Sequence, residues 1–192
     1  LDRPLIVGHS LGGAVAMALA LNHPDRIAGL ALVAPLTQVQ AEIPAAFQGL
    51  LIAKPVARAV IANTLAIPMM RLRSAQSREV LFAPEPVHPA FDIDYGGAML
   101  ARPRAFYAAS SEMVAVNDTL AALIARYGEI ALPVRILFGE GDRVLAAPVH
   151  GTRTASEIRG GQCTIVPGAG HMLPVTDPAR VAAFIAEARA AC

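Results

Sequence analysis

Three side chains in this sequence could together activate a nucleophile: Ser10, Asp142 and His171. A serine hydroxyl is a weak nucleophile at neutral pH, so it needs a base within hydrogen-bond reach, and the base needs an acid that orients it. Each of the three follows shortly after an apolar stretch that predicts a strand. Because strands of a parallel sheet end at a common edge, the side chains are expected to meet there. The chemistry that this set predicts is attack on an acyl carbon.

Ser10 lies in the pattern G-x-S-x-G, between a predicted strand and a predicted helix. Residues 5–7 are apolar and predict a strand buried on both faces, and residues 11–21 are almost wholly apolar and predict a buried helix. A strand that turns sharply into a helix with a serine at the bend is a nucleophile elbow. We expect Gly8 and Gly12 to be required, because side chains there would collide with the bend or with the facing strand.

The helix after the bend also supplies a hydrogen-bond donor. The backbone N–H of Leu11 stands at the N-terminus of the predicted helix and points to where an oxyanion would develop. Leu11 is therefore the predicted oxyanion donor of the site.

Five histidines could act as the base. His171 lies in a glycine-rich loop after a predicted strand, which places it at the sheet edge where Ser10 also lies. His9 adjoins Ser10, but its side chain is expected to point away on the strained turn and to support the structure, with at most a weak role near the oxyanion. The others lie in a polar turn, a proline-rich loop and a predicted helix, and no catalytic part is expected of them: His23, His88 and His150.

Asp142 is the candidate for the orienting acid. It comes immediately after the predicted strand 134–138, and one helix and one strand separate it from His171, so the two loops are expected to be neighbours. Glu140 is the nearest rival and is expected to face another direction. Asp177 is close to His171 in the sequence, but we expect it to cap the last helix.

The composition fits one α/β domain and excludes several classes of protein. Of the 192 residues, 55% are hydrophobic but only 5% are aromatic and none is tryptophan, so the core must consist of Ala, Leu, Val and Ile, which suits helices packed on a parallel sheet. The net charge is +1, from 16 basic and 15 acidic residues without a basic stripe, which argues against nucleic-acid binding. No uninterrupted run of about 18 apolar residues occurs, so membrane insertion is not expected.

The cysteines bear on the compartment. Cys163 falls in a predicted strand, and Cys192 is the last residue of the sequence. A disulfide framework is therefore not expected, and the default is a reducing compartment, here the cytoplasm.

Strand and helix patterns alternate at both ends of the sequence. We predict strands at 27–36, 134–138 and 162–166, and helices at 146–158 and 178–190. Together with the elbow, this alternation predicts an α/β fold with a doubly wound, mostly parallel sheet.

The middle of the sequence, residues 37–131, shows no strand–helix alternation. This apolar, basic stretch could pack on the core, form a mobile lid over Ser10, or lie on a membrane surface. We favour a lid that selects an apolar substrate, because an insertion after the carboxyl end of a strand sits above the site. Helices are predicted within it at 43–53 and 56–70. Residues 102–130 predict either one helix or two, at 105–109 and 112–127, with Asp118 and Thr119 as the cap between them.

At these motifs the chain resembles the α/β-hydrolase superfamily, in its serine-nucleophile branch with a helical cap. The matching pieces are 8–13, the Asn-His-Pro-Asp-Arg turn at 22–26, the Gly-Glu-Gly-Asp turn at 139–142 and the Gly-Ala-Gly-His loop at 168–171. The resemblance implies a hydrolase core at 1–36 and 132–192 with a cap inserted at 37–131.

The same resemblance implies a role for each site residue. Ser10 would be the nucleophile, His171 the general base and then acid, Asp142 its orienter, and the Leu11 N–H one oxyanion donor. No cofactor and no metal are implied.

The sequence departs from the family pattern at its front. The family's earlier strands, and the loop that gives the second oxyanion donor, have no counterpart in the match. We therefore expect an open sheet edge beside residues 5–7, as in an N-terminally truncated member of the family.

The function that follows is a serine hydrolase that cleaves carboxylic esters of small to medium apolar substrates through an acyl-enzyme on Ser10. Acyl transfer, peroxyacid formation and hydrolysis of a carbon–carbon bond next to a carbonyl remain as alternatives within the fold. A hydrolase-like binding protein with an idle site is the alternative from another class. The oligomeric state is left open.

Overall fold

The computed structural model describes residues 2–40 and 42–192. A parallel sheet runs through the described part, with strands in the order β1-β2-β3-β4. Every residue of the second strand is buried, as its unbroken apolar run predicts. The four strands are β1 (Leu5–His9), β2 (Gly29–Val33), β3 (Val134–Gly139) and β4 (Gln162–Val166).

Strand β1 lies at one edge of this sheet, as expected, but it is not buried on both faces. Val7 is 48% exposed, so the prediction of a fully buried strand at 5–7 is wrong. Its partner β2 is paired on both edges and packs against helices on both faces, whereas β1 is paired on one edge only.

Helices cover the sheet on both faces, as a doubly wound fold requires. Leu32 belongs to the larger core, which also holds Met17 of the first helix and Leu120 of the fourth. The next residue of β2, Val33, faces the opposite way and packs in a second core with Val181 of the last helix. The helices are α1 (Leu11–Asn22), α2 (Pro55–Asn63), α3 (Ala66–Phe82), α4 (Pro103–Ile124), α5 (Thr154–Glu157), α6 (Leu173–Thr176) and α7 (Pro178–Ala190).

Several short turns of 3₁₀ helix connect these elements. They lie at Pro24–Arg26, Ala45–Leu50, Gly97–Leu100 and Tyr127–Glu129. None of the helices in the described ranges combines the length and the apolar character that a membrane span requires.

The middle of the chain is helical, but its helices begin and end at other places than predicted. Only a 3₁₀ segment, Ala45–Leu50, forms where a helix is predicted at 43–53. The helix predicted at 56–70 is two helices, α2 and α3, because the backbone leaves the helical conformation at Thr64, where φ is −123° and ψ is −77°.

Of the two alternatives predicted for residues 102–130, a single helix forms, α4, and not a pair at 105–109 and 112–127. Thr119, predicted as part of a cap, lies inside the helix and donates its hydroxyl to the carbonyl of Ala115 at 3.0 Å. A bond to the preceding turn leaves the helix intact, so no break forms at Asp118.

The helix predicted at 146–158 is a wide π-helical turn, Ala147–Arg153, followed by the short α5. Gly151 in this turn packs closely on the sheet, since a Cβ there would stand 3.0 Å from the sulfur of Cys163 and 3.0 Å from the ring of Phe138. The end of the chain agrees with prediction: Asp177 caps α7 by accepting from the Arg180 N–H at 3.1 Å.

Candidate active site

Ser10 stands at the bend between β1 and α1, with a strained backbone at φ 53° and ψ −124°. A positive φ is uncommon for a residue with a Cβ and persists only where the surroundings enforce it. Here the Ser10 N–H donates to the carbonyl of Val33 at 3.2 Å. The Ser10 carbonyl accepts from the N–H groups of Gly13 at 2.9 Å and Leu36 at 2.8 Å. Strand β2 and the segment after it therefore hold the bend in place.

The glycines around Ser10 differ in how closely they are packed. A Cβ on Gly8 would stand 2.6 Å from the carbonyl oxygen of Gly12, and one on Gly13 would meet Pro35, with 2.9 Å to its Cα. A Cβ on Gly12 would meet nothing within 4 Å, so the prediction that a side chain there would collide is wrong. The close approach thus involves Gly8 and Gly13, which let the bend lie against backbone.

His171 follows β4 and reaches Ser10 across the sheet edge. Its Nε2 lies 3.0 Å from the Ser10 Oγ, and the residue is 1% exposed. Its Nδ1 lies 2.7 Å from Oδ2 of Asp142. Because a carboxylate oxygen only accepts, Nδ1 carries the proton of the neutral ring, and the lone pair of Nε2 faces the serine hydroxyl.

Asp142 is fixed at both carboxylate oxygens. Its Oδ1 accepts from the backbone N–H groups of Val144 at 2.8 Å and Leu145 at 2.9 Å, while Oδ2 faces His171. The side chain is fully buried. The structure therefore brings Ser10, His171 and Asp142 into one hydrogen-bonded chain, which can activate a hydroxyl for attack.

Backbone contacts tie the loop of Asp142 to the loop of His171. The Gly141 N–H donates to the carbonyl of Ala169 at 2.8 Å. Glu140, the rival for Asp142, turns aside as expected, and its Oε2 accepts from the Gly168 N–H at 3.3 Å. Glu140 thus links the two loops from the outside and does not reach His171.

His9 supports the site from the other side, as expected. Its Nε2 lies 3.0 Å from the carbonyl oxygen of His171, so this nitrogen carries the proton and donates. Burial lowers the pKa of His9, and the positive charge that His171 can carry lowers it further. His9 therefore stays neutral. It donates to the carbonyl of His171 without placing a second positive charge beside the His171 ring.

Leu11 begins helix α1, whose first backbone N–H groups have no acceptor within the helix. Beside it lies a cavity of about 160 Å³ that opens on Ser10 and His171. Apart from Gln40, the rest of its lining is apolar. It comes from α1, the segment after β2, α3, α4 and the loop of Asp142: Leu11, Leu36, Ile43, Pro44, Phe47, Leu81, Met113, Val116, Val144 and Leu145.

A wider groove of about 630 Å³ adjoins this cavity. Gln40 and Val144 line both spaces, and the Gln40 side-chain amide donates to the carbonyl of Val144 at 3.0 Å. Polar and charged side chains, Glu42, Gln48 and Arg143, line the groove, in contrast to the apolar cavity.

His150 has a structural part that the sequence did not indicate. It is 3% exposed, and its Nδ1 accepts from the backbone N–H groups of Thr37 at 3.2 Å and Gln38 at 3.1 Å. Burial lowers its pKa to about 4. His150 therefore fixes the segment that leaves β2 toward the cavity. More than a hundred residues separate it from these partners, so no local pattern could have indicated the contact.

A doubly wound parallel sheet that carries a serine on a strained strand-to-helix turn is the architecture of the α/β hydrolases. A sequence model described as the alpha/beta hydrolase family matches residues 1–184, and the chain belongs to this family. A comparison with curated proteins gives no match.

Solved structures with the same fold cover nearly the whole chain. A hydrolase from Pseudomonas aeruginosa PA01 is 25% identical, with a TM-score of 0.72, and the match covers 97% of this chain and 64% of that one. An alpha/beta hydrolase fold protein from Burkholderia ambifaria is 21% identical at a TM-score of 0.69, covering 97% and 66%. A thermophilic esterase from Thermogutta terrifontis is 21% identical at 0.58, covering 97% and 64%. The chain thus spans slightly less than two thirds of the length of these proteins.

Proposed function

We propose that this chain carries the catalytic residues of a serine hydrolase that cleaves carboxylic esters of small to medium apolar substrates. The observation that carries the proposal is the hydrogen-bonded chain from Ser10 Oγ through the His171 ring to Asp142, at 3.0 and 2.7 Å. It stands on a strained strand-to-helix turn of a chain that belongs to the α/β-hydrolase family.

In this proposal each residue has one task. The Ser10 oxygen attacks the acyl carbon, and its proton passes to Nε2 of His171. The imidazolium that forms is stabilised by Asp142 and then gives the proton to the leaving alcohol, so that an ester bond to Ser10 replaces the substrate ester. His171 next takes a proton from water, whose oxygen attacks the acyl-enzyme. It then gives this proton to the Ser10 oxygen as the bond to the acyl group breaks and the acid is released.

The negative charge that develops on the carbonyl oxygen needs donors. The Leu11 N–H, at the positive end of α1, is the donor that we assign. One such donor is worth about 10²–10³ in kcat. A backbone donor cannot be removed by a side-chain change, so the side-chain tests below address Ser10 and His171.

The cavity supports the choice of an apolar substrate. Its volume of about 160 Å³ and its apolar lining suit a group of about the size of benzene, which an apolar cavity of about 150 Å³ can hold. Leu81 of α3 and Met113 of α4 contribute to that lining, so the helices between 37 and 131 are proposed to act as the cap that selects the substrate.

The first experiment is labelling with a fluorophosphonate, which reacts with activated serines, followed by peptide mass spectrometry. We expect Ser10 alone to be modified, and His171→Ala to be modified far more slowly because the hydroxyl then lacks its base. His23→Ala is the matched control, since His23 is exposed. An unlabelled Ser10 in the folded protein would contradict the mechanism and favour a binding protein with an idle site.

The second experiment measures kcat/KM on esters of one alcohol with acids of increasing length. We expect the maximum at acyl groups of about six carbons, because longer chains exceed the cavity. Met113→Ala enlarges the cavity and should move the maximum to longer acids. Met99→Ala is the control, because Met99 is 49% exposed and does not line the cavity. If kcat/KM does not depend on acyl length in the wild type or in Met113→Ala, the assignment of the cavity as the acyl site is refuted.

Analysis of the reaction products identifies the molecule that accepts the acyl group from Ser10. If water is the acceptor, the product is the free acid. Added alcohol or peroxide that captures the acyl group in preference to water would instead support acyl transfer or peroxyacid formation.

A further inference from the structure

The segment that leaves α3 lies directly against both loops of the candidate site. The Pro84 ring packs on Gly141, the neighbour of Asp142, since a Cβ on this glycine would stand 2.8 Å from the Pro84 Cδ. The carbonyl of Ala83 packs in the same way on Gly170, the neighbour of His171, where a Cβ would lie 2.9 Å from the carbonyl carbon. Two glycines thus allow a cap segment to touch the acid loop and the histidine loop at once.

Glu85 adds a polar contact to this arrangement. Its Oε1 accepts from the hydroxyl of Thr176 in helix α6, at 3.0 Å. Its Oε2 is buried against Gly170, whose Cβ would stand 2.6 Å away, and finds no hydrogen-bond donor in the described part of the chain. The Glu85 carboxylate is thus held by the Thr176 hydroxyl at one oxygen and lies against the backbone of the histidine loop with the other.

Apolar side chains complete the same contact. Phe82 and Phe91 meet edge to face, with ring centroids 5.0 Å apart, and both are buried together with Val175 of α6. Met172, the residue after His171, packs against this cluster. The residue before Phe82, Leu81, lines the cavity at Ser10. One short stretch of chain therefore contacts the substrate cavity on one side and the histidine loop on the other.

We infer that Glu85 is a positioning residue for His171, and that the segment 81–91 sets the place of the histidine loop from the cap. This inference rests on the proposed serine hydrolase function. Glu85 does not touch the reacting atoms and acts through Thr176 and Gly170.

The size of the effect follows from the geometry of proton transfer. The base must stand within about 2.6–3.2 Å of the hydroxyl, and a misplacement of about 1 Å can cost about a hundredfold in rate. We therefore expect Glu85→Ala to lower kcat about tenfold or more, with a much smaller change in KM because the cavity lining is intact.

Further variants distinguish an effect of the hydrogen bond between Glu85 and Thr176 from an effect of the negative charge of Glu85. Glu85→Gln keeps an oxygen acceptor for the Thr176 hydroxyl and should retain most of the activity, which a role of the negative charge would not allow. Thr176→Val removes the donor and should lower kcat. The double variant Glu85→Ala with Thr176→Val should lose little beyond the single change, because both remove the same contact. Glu187→Ala, at an exposed position of α7, is the control for loss of a carboxylate.

A readout that needs no substrate keeps this test apart from the test of the function. The proton between His171 Nδ1 and Asp142 is expected to give a downfield NMR resonance, and Glu85→Ala should shift or broaden it while Glu187→Ala leaves it unchanged. An unaltered resonance and an unaltered kcat in a folded Glu85→Ala variant would overturn the inference. If the wild-type protein shows the resonance but neither labelling nor ester hydrolysis, the proposed function fails, and the resonance alone then decides whether Glu85 positions His171.

Discussion

At the scale of the residue, Asp142 is the side chain with the least freedom in the candidate site. Two backbone N–H groups, from Val144 and Leu145, hold Oδ1, so only Oδ2 is left for His171. An asparagine at this position would have to keep its oxygen toward the backbone donors and turn its NH₂ group toward the ring. The carboxylate thus determines which nitrogen of His171 carries the proton.

Asp142→Asn is therefore expected to reverse the tautomer of His171. With an NH₂ group facing it, Nδ1 must accept, the proton moves to Nε2, and the ring can no longer take the proton of Ser10. Loss of the orienting carboxylate in this way costs about 10⁴ in kcat in a comparable triad, and we expect a loss of that order. Steady-state kinetics on the preferred ester measure it.

Glu140→Gln is the matched change in the same turn. Glu140 is exposed and contacts Gly168 rather than His171, so kcat should change by less than about twofold. A large loss with Glu140→Gln and a small one with Asp142→Asn would mean that the acid has been assigned to the wrong residue.

The residues of the candidate site could be predicted because each follows a strand that an apolar run in the sequence indicates. Ser10, Asp142 and His171 all stand at the carboxyl edge of a parallel sheet, and a parallel sheet has only one such edge. His150 and Glu85 were not open to prediction in this way, because their partners, Thr37 and Thr176, are far away in the sequence and no periodic pattern marks them.

At the scale of the element, the stability of the turn between β1 and α1 depends on the absence of a side chain at Gly8 and not at Gly12. We expect Gly8→Ala to lower the free energy of unfolding by about 1–3 kcal/mol, because the new Cβ overlaps backbone atoms of Gly12. Because the overlapped atoms belong to the backbone, the turn itself must shift to make room, and this shift moves Ser10. Fluorophosphonate labelling of Ser10 should therefore slow as well.

Gly12→Ala is the contrasting change in the same turn. A Cβ there meets no atom within 4 Å, and alanine favours the helix, so stability should rise by about 0.5 kcal/mol. Urea denaturation of the two variants beside the wild type measures both effects. Equal destabilisation by both substitutions would show that the turn is not packed as described.

Strands β3 and β4 were predicted well, whereas β2 is shorter than the strand predicted at 27–36, and elements bounded by polar side chains were not predicted well. Strand β4 occupies the predicted residues, and β3 ends one residue later than predicted. The boundary between α2 and α3 lies where the backbone of Thr64 leaves the helical conformation, and composition and periodicity do not reveal that conformation. The wide turn Ala147–Arg153 packs on the sheet at Gly151, and that contact joins distant parts of the sequence.

At the scale of the whole molecule, the buried His150 links folding to pH. Its pKa is about 4 in the folded protein against 6.5 for a free side chain, so between these values the unfolded chain binds a proton that the folded protein excludes. Stability is therefore complete above pH 6.5 and falls as the pH drops toward 4. At 1.36 kcal/mol per pKa unit, the loss amounts to about 3 kcal/mol.

Denaturation in urea at a series of pH values measures this loss, and His150→Asn tests its source. The asparagine oxygen can replace Nδ1 as acceptor for the Thr37 and Gln38 N–H groups but does not titrate, so the slope below pH 6.5 should become shallower. His23→Asn should leave the slope unchanged, because His23 is exposed. A slope unaffected by His150→Asn would place the titrating group elsewhere.

The strained backbone at Ser10 sets stability against activity. A non-glycine residue held at a φ of 53° costs about 1–3 kcal/mol, and glycine would adopt the same angle freely. The fold would thus be more stable with glycine at the position where the proposed reaction needs a hydroxyl. Selection for stability alone would replace this serine by glycine. In a descendant of this chain that no longer used the hydroxyl, we therefore expect glycine at this position.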